Sequence, residues 1–143
     1  MQRTLAILNQ KGGVGKTTVT LGLSSAASAA GRRVLVVDLD PQASSSWVLG
    51  IDPSPHAPTV TELLNDKSLE LDDVIQRSMW SDLVDVIPSS ADLQEMEAGP
   101  SKRLRKLISR VEADYEAVFI DCPPSLGSLT RSALTASRHA LLV

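Results

Sequence analysis

Gln10-Lys11-Gly12-Gly13-Val14-Gly15-Lys16-Thr17-Thr18 decides the fold of this chain. An apolar run, Leu5-Ala6-Ile7-Leu8, stands before it, and a stretch of small residues follows it to Ala30. Strand, glycine loop, helix is the setting that a phosphate-binding loop needs. Gly12, Gly13 and Gly15 let the backbone curl without Cβ clashes and turn successive N–H groups inward, with Val14 between them. The start of the helix, through Thr18, adds unpaired N–H groups and the positive end of its dipole. Lys16 is placed to reach the β- and γ-phosphates, and the Thr17 hydroxyl to ligate Mg²⁺. The ordinary form of this loop has glycine five residues before Gly15; here that residue is Gln10, and a second lysine, Lys11, comes next.

The alternation of the chain around this loop predicts an α/β fold: a mainly parallel sheet flanked by helices. Residues 4–9 read as a strand apolar on both faces. Residues 16–30 read as a helix with Val19, Leu23, Ala26 and Ala30 on one stripe and Gly31 as its cap. Arg33 to Leu39 is a second strand, and Pro41 ends it. Over 42–82, Ser44-Ser45-Ser46, Pro53, Pro55 and Pro58 read as loop, with short helices at Thr61–Leu64 and Asp73–Gln76. Trp47 and Trp80 are expected to pack against the body of the sheet. Leu83 to Ile87 is a third strand, closed by Pro88. Gly99-Pro100-Ser101 opens a helix with Leu104, Leu107, Ile108 and Val111 inward. Its Lys102, Arg103, Lys106 and Arg110 read as a solvated face rather than a DNA contact. Ala117 to Ile120 is a fourth strand. A helix over about 126–137 follows, with Leu126, Leu129, Ala133 and Leu134 inward, and Ala140 to Val143 begins a fifth strand.

In such sheets, ligands sit beyond the carboxyl ends of the strands. The glycine loop follows the first strand, Asp38 and Asp40 end the second, and Asp121 ends the fourth, so all three sites emerge on one edge. Carboxylates near a triphosphate need a metal between them. Asp121 fits the acidic residue that holds Mg²⁺ directly or through water. Asp40 is the candidate to orient an attacking water. Asp38 reads as a metal partner in the outer shell or as a strand-end cap. Cys122 has no base beside it in sequence and reads as a small apolar residue. His56 and His139 are isolated.

Composition sets bounds on this reading. The chain has 143 residues, 43% hydrophobic and 22% charged, which suits one domain, residues 1–143, with a sizeable core. A net charge of −3 gives no global basic field for nucleic acid. One cysteine excludes a disulfide framework and a thiolate-rich metal site within the chain, as suits a reducing cytoplasm. Aromatic residues, at 3%, are too few for a base-stacking platform. No apolar run approaches transmembrane length, and a signal-peptide core is not seen.

Lys11-Gly12-Gly13-Val14-Gly15-Lys16-Thr17-Thr18, Val36-Val37-Asp38-Leu39-Asp40-Pro41-Gln42 and Ile120-Asp121-Cys122-Pro123-Pro124-Ser125-Leu126-Gly127 together resemble the ParA/Soj-type partition ATPases. These belong to the phosphate-loop group with an extra lysine, which also holds MinD and the nitrogenase iron protein. The Asp-Pro-Gln and Cys-Pro-Pro-Ser-Leu forms favour the ParA branch over MinD, and the iron-protein branch needs two cluster cysteines per subunit. The resemblance implies an ATP- and Mg²⁺-dependent switch in chromosome or plasmid segregation. Two subunits sandwich two ATP molecules, and Lys11 reaches the phosphates bound by the partner subunit. The ATP-bound homodimer binds DNA nonspecifically, which places it on the nucleoid in the cytoplasm and not on a membrane. A ParB-type centromere-binding protein stimulates hydrolysis. By this resemblance the domain is incomplete: relatives continue for roughly another hundred residues, an ordinary remainder of one domain. That remainder carries the adenine pocket, much of the dimer surface and the main DNA contacts. Two other readings stand beside the partition ATPase: a related ATPase that positions other cargo, such as a cell-division or chemotaxis complex, and a truncated remnant without turnover.

Overall fold

The computed structural model describes residues 3–9, 11, 13, 15–52, 54–96 and 102–143. Gln10, Gly12, Val14 and Pro53 lie outside them, as does the expected helix start at Gly99-Pro100-Ser101.

Strands form where β-branched and leucine-rich runs are bounded by polar residues or proline. They are β1 (Thr4–Leu8), β2 (Val34–Asp38), β3 (Gln76–Arg77), β4 (Val84–Ile87), β5 (Ala117–Asp121) and β6 (His139–Leu142). The helices are α1 (Lys16–Ala29), α2 (Ser44–Val48), α3 (Val60–Asn65), α4 (Arg103–Val111) and α5 (Ser128–Ala136). The sheet order is β3-β4-β2-β5-β1-β6, parallel except for the antiparallel pair β3–β4. Both faces of the central strands are buried, as continuous apolar runs in a parallel sheet require. One face packs Leu35, Val37 and Ile120 against Leu63, Leu104, Leu107, Ile108 and Ala133 of α3, α4 and α5. The other packs Ile7, Val36, Val86 and Phe119 against Leu21 of α1 and against Leu49 and Ile51, just after α2.

Several local expectations need correction. Ser44–Val48 is helix, not loop. Asp73–Gln76 forms no helix of its own: Asp73 ends a 3-10 turn at Leu71–Asp73 and Gln76 begins β3, so the last strand is the sixth. Trp47 and Trp80 do not pack on the sheet body; they are 76% and 46% exposed. The inner face of α2 is taken by Ser45 and Ser46, which turns Trp47 outward. On α1 the buried residues are Lys16, Thr20, Leu21 and Ser24, while Ala26 and Ala30 are exposed. Thr20 and Ser24 tolerate burial because their hydroxyls donate to the carbonyls of Lys16 (2.9 Å) and Thr20 (2.8 Å). Leu126 precedes α5 and is 52% exposed, Leu134 on α5 is 40% exposed, and Thr130, Ser132, Ala133 and Ala136 of α5 are buried. The stripe of α4 is buried as the periodicity predicts. Part of its basic face is committed to structure: Arg103 donates to the carbonyls of Leu63, Asp66 and Leu69, and Arg110 pairs with Glu70.

A buried carboxylate ties the far side of the sheet. Asp85 of β4 accepts from Arg77 (2.7 Å), Arg33 (3.2 Å) and the Tyr115 hydroxyl (2.8 Å). Arg33 lies over the Tyr115 ring, 5.2 Å from its centroid. Burial, then the bond to Asp85, pushes the Tyr115 phenol up. Both arginines are about half exposed, so the charge pairs are screened and the tyrosine bond carries most of the specificity. Asp85→Ala leaves the Tyr115 hydroxyl without its acceptor and is expected to cost about 1–3 kcal/mol. Urea unfolding checks this; a loss below about 0.5 kcal/mol would show that the network contributes nothing.

Candidate phosphate and metal site

The site begins with backbone conformation. Gly13 and Gly15 adopt φ of +72° and +98°, a left-handed region costly for any residue with a Cβ, so the turn into α1 depends on glycine at both. Lys16 is the first residue of α1 and is only 6% exposed. Lys11 is exposed, and its backbone N–H donates to Asn9 Oδ1 at 2.7 Å. Thr18 is exposed on the first turn. Gly12 and Val14, two of the expected loop contacts, lie outside the described residues.

Strand register brings the carboxylates to this loop. Asp38 and Asp121 are direct neighbours at the ends of β2 and β5, and Ile7 of β1 pairs with Asp121 from the other side. Asp121 is fully buried. Its Oδ2 accepts from the Thr17 hydroxyl at 2.8 Å and from the Ser45 hydroxyl at 2.6 Å. Its Oδ1 is buried with no hydrogen-bond partner among the described residues. An orphaned carboxylate oxygen beside a threonine hydroxyl is the donor set for a hard cation. One carboxylate oxygen and one hydroxyl suit a cation that takes few protein ligands and completes its shell with phosphate and water, as magnesium does.

Asp38 uses both oxygens on the backbone turn. Oδ1 accepts from Asp40 N–H at 3.1 Å, and Oδ2 accepts from Ser46 N–H at 2.9 Å and Ser46 Oγ at 2.7 Å. Ser46 Oγ in turn accepts from Ser89 N–H at 3.0 Å. These bonds give Asp38 the geometry of a strand-end cap; ligating a metal directly would break them. Asp40 is 9% exposed and holds Gln42 N–H at 3.0 Å. A cavity of about 260 Å³ lies between Asp40-Pro41-Gln42 and Pro123-Pro124-Ser125, giving Asp40 an open side. A larger cavity of about 360 Å³ by Trp47, Ile51 and Gln76 has no lysine or arginine in its described lining and does not fit a triphosphate. Cys122 is buried, and burial pushes its thiol up to about 12, consistent with a packing role.

Ser45 and Ser46 are the site residues that pattern reading missed. A serine run after Asp-Pro-Gln reads as loop. The available signal was that serines favour helix starts, where their side chains find local acceptors. The turn into α2 carries Ala43 at φ +55°, a left-handed conformation for a non-glycine residue.

Burial raises Asp38 from its ordinary 3.8 to about 7, against the hydrogen bonds from Ser46 and Asp40 and with a push from the Asp121 charge. Asp121 is also raised, first by burial, while the Ser45 and Thr17 bonds oppose the shift. A carboxyl that holds its proton more tightly folded than unfolded makes stability fall as pH rises from the unfolded toward the folded pKa. The metal-free chain is therefore expected to lose stability between about pH 4 and pH 7. Urea unfolding in EDTA across that window measures it, and Asp38→Asn should flatten the fall. An unchanged slope in that variant would contradict the raised carboxyl.

The AAA domain family matches residues 2–143. Sporulation initiation inhibitor protein Soj of Bacillus subtilis is 41% identical over 148 aligned residues, covering 99% of this chain and 58% of Soj. Chromosome partitioning protein ParA of Caulobacter vibrioides is 43% identical, covering 94% of this chain and 53% of that protein. Among solved structures, cobyrinic acid a,c-diamide synthase from Mycobacterium smegmatis, with a bound ATP analog and magnesium, superposes with a TM-score of 0.90 at 37% identity. That match covers 99% of this chain and 59% of the other. The chain thus spans about half the length of the curated relatives it matches. From a family match along nearly its whole length, the chain belongs to the AAA domain family, and within it the chain is similar to Soj and ParA.

Proposed function

We propose that this chain forms the ATP- and Mg²⁺-binding part of a ParA-like ATPase that acts in chromosome or plasmid partition. The observation that carries the reading is the Thr17–Asp121 contact at 2.8 Å, which joins the glycine loop to the carboxyl end of β5 across 104 residues of chain. The loop N–H groups and the α1 dipole bind the phosphates, and Lys16 neutralises their charge from inside the loop. Thr17 and Asp121 are the residues that would hold magnesium, with Asp38 fixing the turn behind them. When bound, the metal neutralises charge on the β- and γ-phosphates. Asp40, beside an open cavity, orients the water that attacks the γ-phosphorus. The bond to the leaving ADP oxygen breaks as the new P–O bond forms, giving ADP and inorganic phosphate.

Lys11 is exposed, as a group acting on a second subunit's nucleotide would be. The relatives' names support partition as the process. A homodimer formed on ATP, a ParB-type stimulating partner and nonspecific DNA on the nucleoid complete the proposal. Among the described residues no helix is long and apolar enough to cross a membrane, and the proposal invokes none.

Calorimetric titration with ATP–Mg²⁺ tests the assignment. Lys16→Ala removes the one lysine held inside the loop and is expected to weaken ATP roughly 10- to 100-fold, the scale of a charged hydrogen bond. Unchanged affinity would show that the loop does not hold the phosphates.

A further inference from the structure

We propose that Ser45 is a positioning residue of the metal site: its hydroxyl and that of Thr17 pin one oxygen of Asp121 and leave the other for the cation's shell. The inference rests on the nucleotide reading above and extends it to a residue outside the loop and the strand ends.

Ser45 is fully buried and donates to Asp121 Oδ2 at 2.6 Å. Thr17 donates to the same oxygen at 2.8 Å from the opposite element, α1. A carboxylate turns easily about its last torsion, and one donor would not choose between its two oxygens. Two donors converging on Oδ2 from different helices fix the choice. Oδ1 is then left buried and unpartnered among the described residues, a costly state unless something outside the protein completes it. A hard cation or its bound water is the group that such an oxygen fits.

The neighbouring serine does a different task. Ser46 bonds Asp38 and the Ser89 N–H, and makes no bond to Asp121. The two serines therefore separate within one turn of α2: Ser45 acts on the metal carboxylate, and Ser46 ties the ends of β2 and β4. A purely structural role for Ser45 would lower stability and leave the magnesium dependence of nucleotide binding unchanged.

The test measures ATP affinity of the 143-residue chain by calorimetry, once in EDTA and once in saturating MgCl₂. The readout is the gain in affinity that magnesium gives. Ser45→Ala is expected to cut that gain about tenfold or more, the usual scale for a residue that orients a metal ligand, while affinity in EDTA stays at the wild-type value. Ser45→Cys, nearly isosteric with a weaker donor, should fall between the two and guards against a folding defect in the alanine variant. Ser24→Ala, which removes a buried hydroxyl that donates to the Thr20 carbonyl away from the site, should keep the magnesium gain. A full wild-type gain in both Ser45 variants overturns the proposal, and so does an equal loss in Ser24→Ala. A wild-type chain that gains nothing from magnesium overturns the nucleotide reading together with this one.

Discussion

A carboxylate with no exposed surface holds this structure together at its functional edge. Asp121 ends β5 between β1 and β2 and accepts hydroxyls from α1 and α2. Burying an ionised carboxylate is expensive, and two hydroxyl donors on one oxygen offset only part of that cost. Its raised pKa has burial as first cause, which expresses the same imbalance. On the proposed reading, a cation would make the arrangement favourable, because the free oxygen would gain a partner and the repulsion between Asp121 and Asp38 would be screened. Stability of the unliganded protein and affinity for the ligand are thus set against one another at a single side chain.

The scaffold explains how that side chain is placed. Parallel strands align their carboxyl ends, and the register pairs Asp38 with Asp121 directly. The loop after β1 then opens beside them, because β1 is the next strand over. Asp38 supports this geometry from behind, holding the turn through Asp40 and Ser46. The apolar clusters on the two sheet faces keep the strands in that order and leave the polar groups to the edge.

Much of this was legible in the sequence. Val34–Asp38, Val84–Ile87 and Ala117–Asp121 are β-branched runs with clear ends, and the loop pattern fixes the strand–turn–helix unit. The rule that ligands gather beyond strand carboxyl ends was enough to place Asp38, Asp40 and Asp121 together. What stayed hidden depends on tertiary partners. The five residues of α2 are too few to form a helix by themselves, and their buried face is defined by Asp38 and Asp121, far away in sequence. The exposed Trp47 follows from the same cause. The inward faces of α1 and α5 were read in part: Val19, Leu23, Leu129 and Ala133 pack inward as expected, but the buried Thr20, Ser24 and Thr130, whose hydroxyls donate to backbone carbonyls, are invisible to hydrophobic periodicity. The β3 strand has two residues and no pattern of its own.

The central claim is that Thr17 and Asp121 act as one unit on the metal that accompanies the nucleotide. A double-mutant cycle on the magnesium-dependent part of ATP affinity addresses it, using Thr17→Ala, Asp121→Ala and the pair. The account predicts that each single substitution removes most of the magnesium gain and that the double substitution removes no more. Losses that add, with the double variant falling by the sum of the two singles, would show that the residues act independently and would contradict the account.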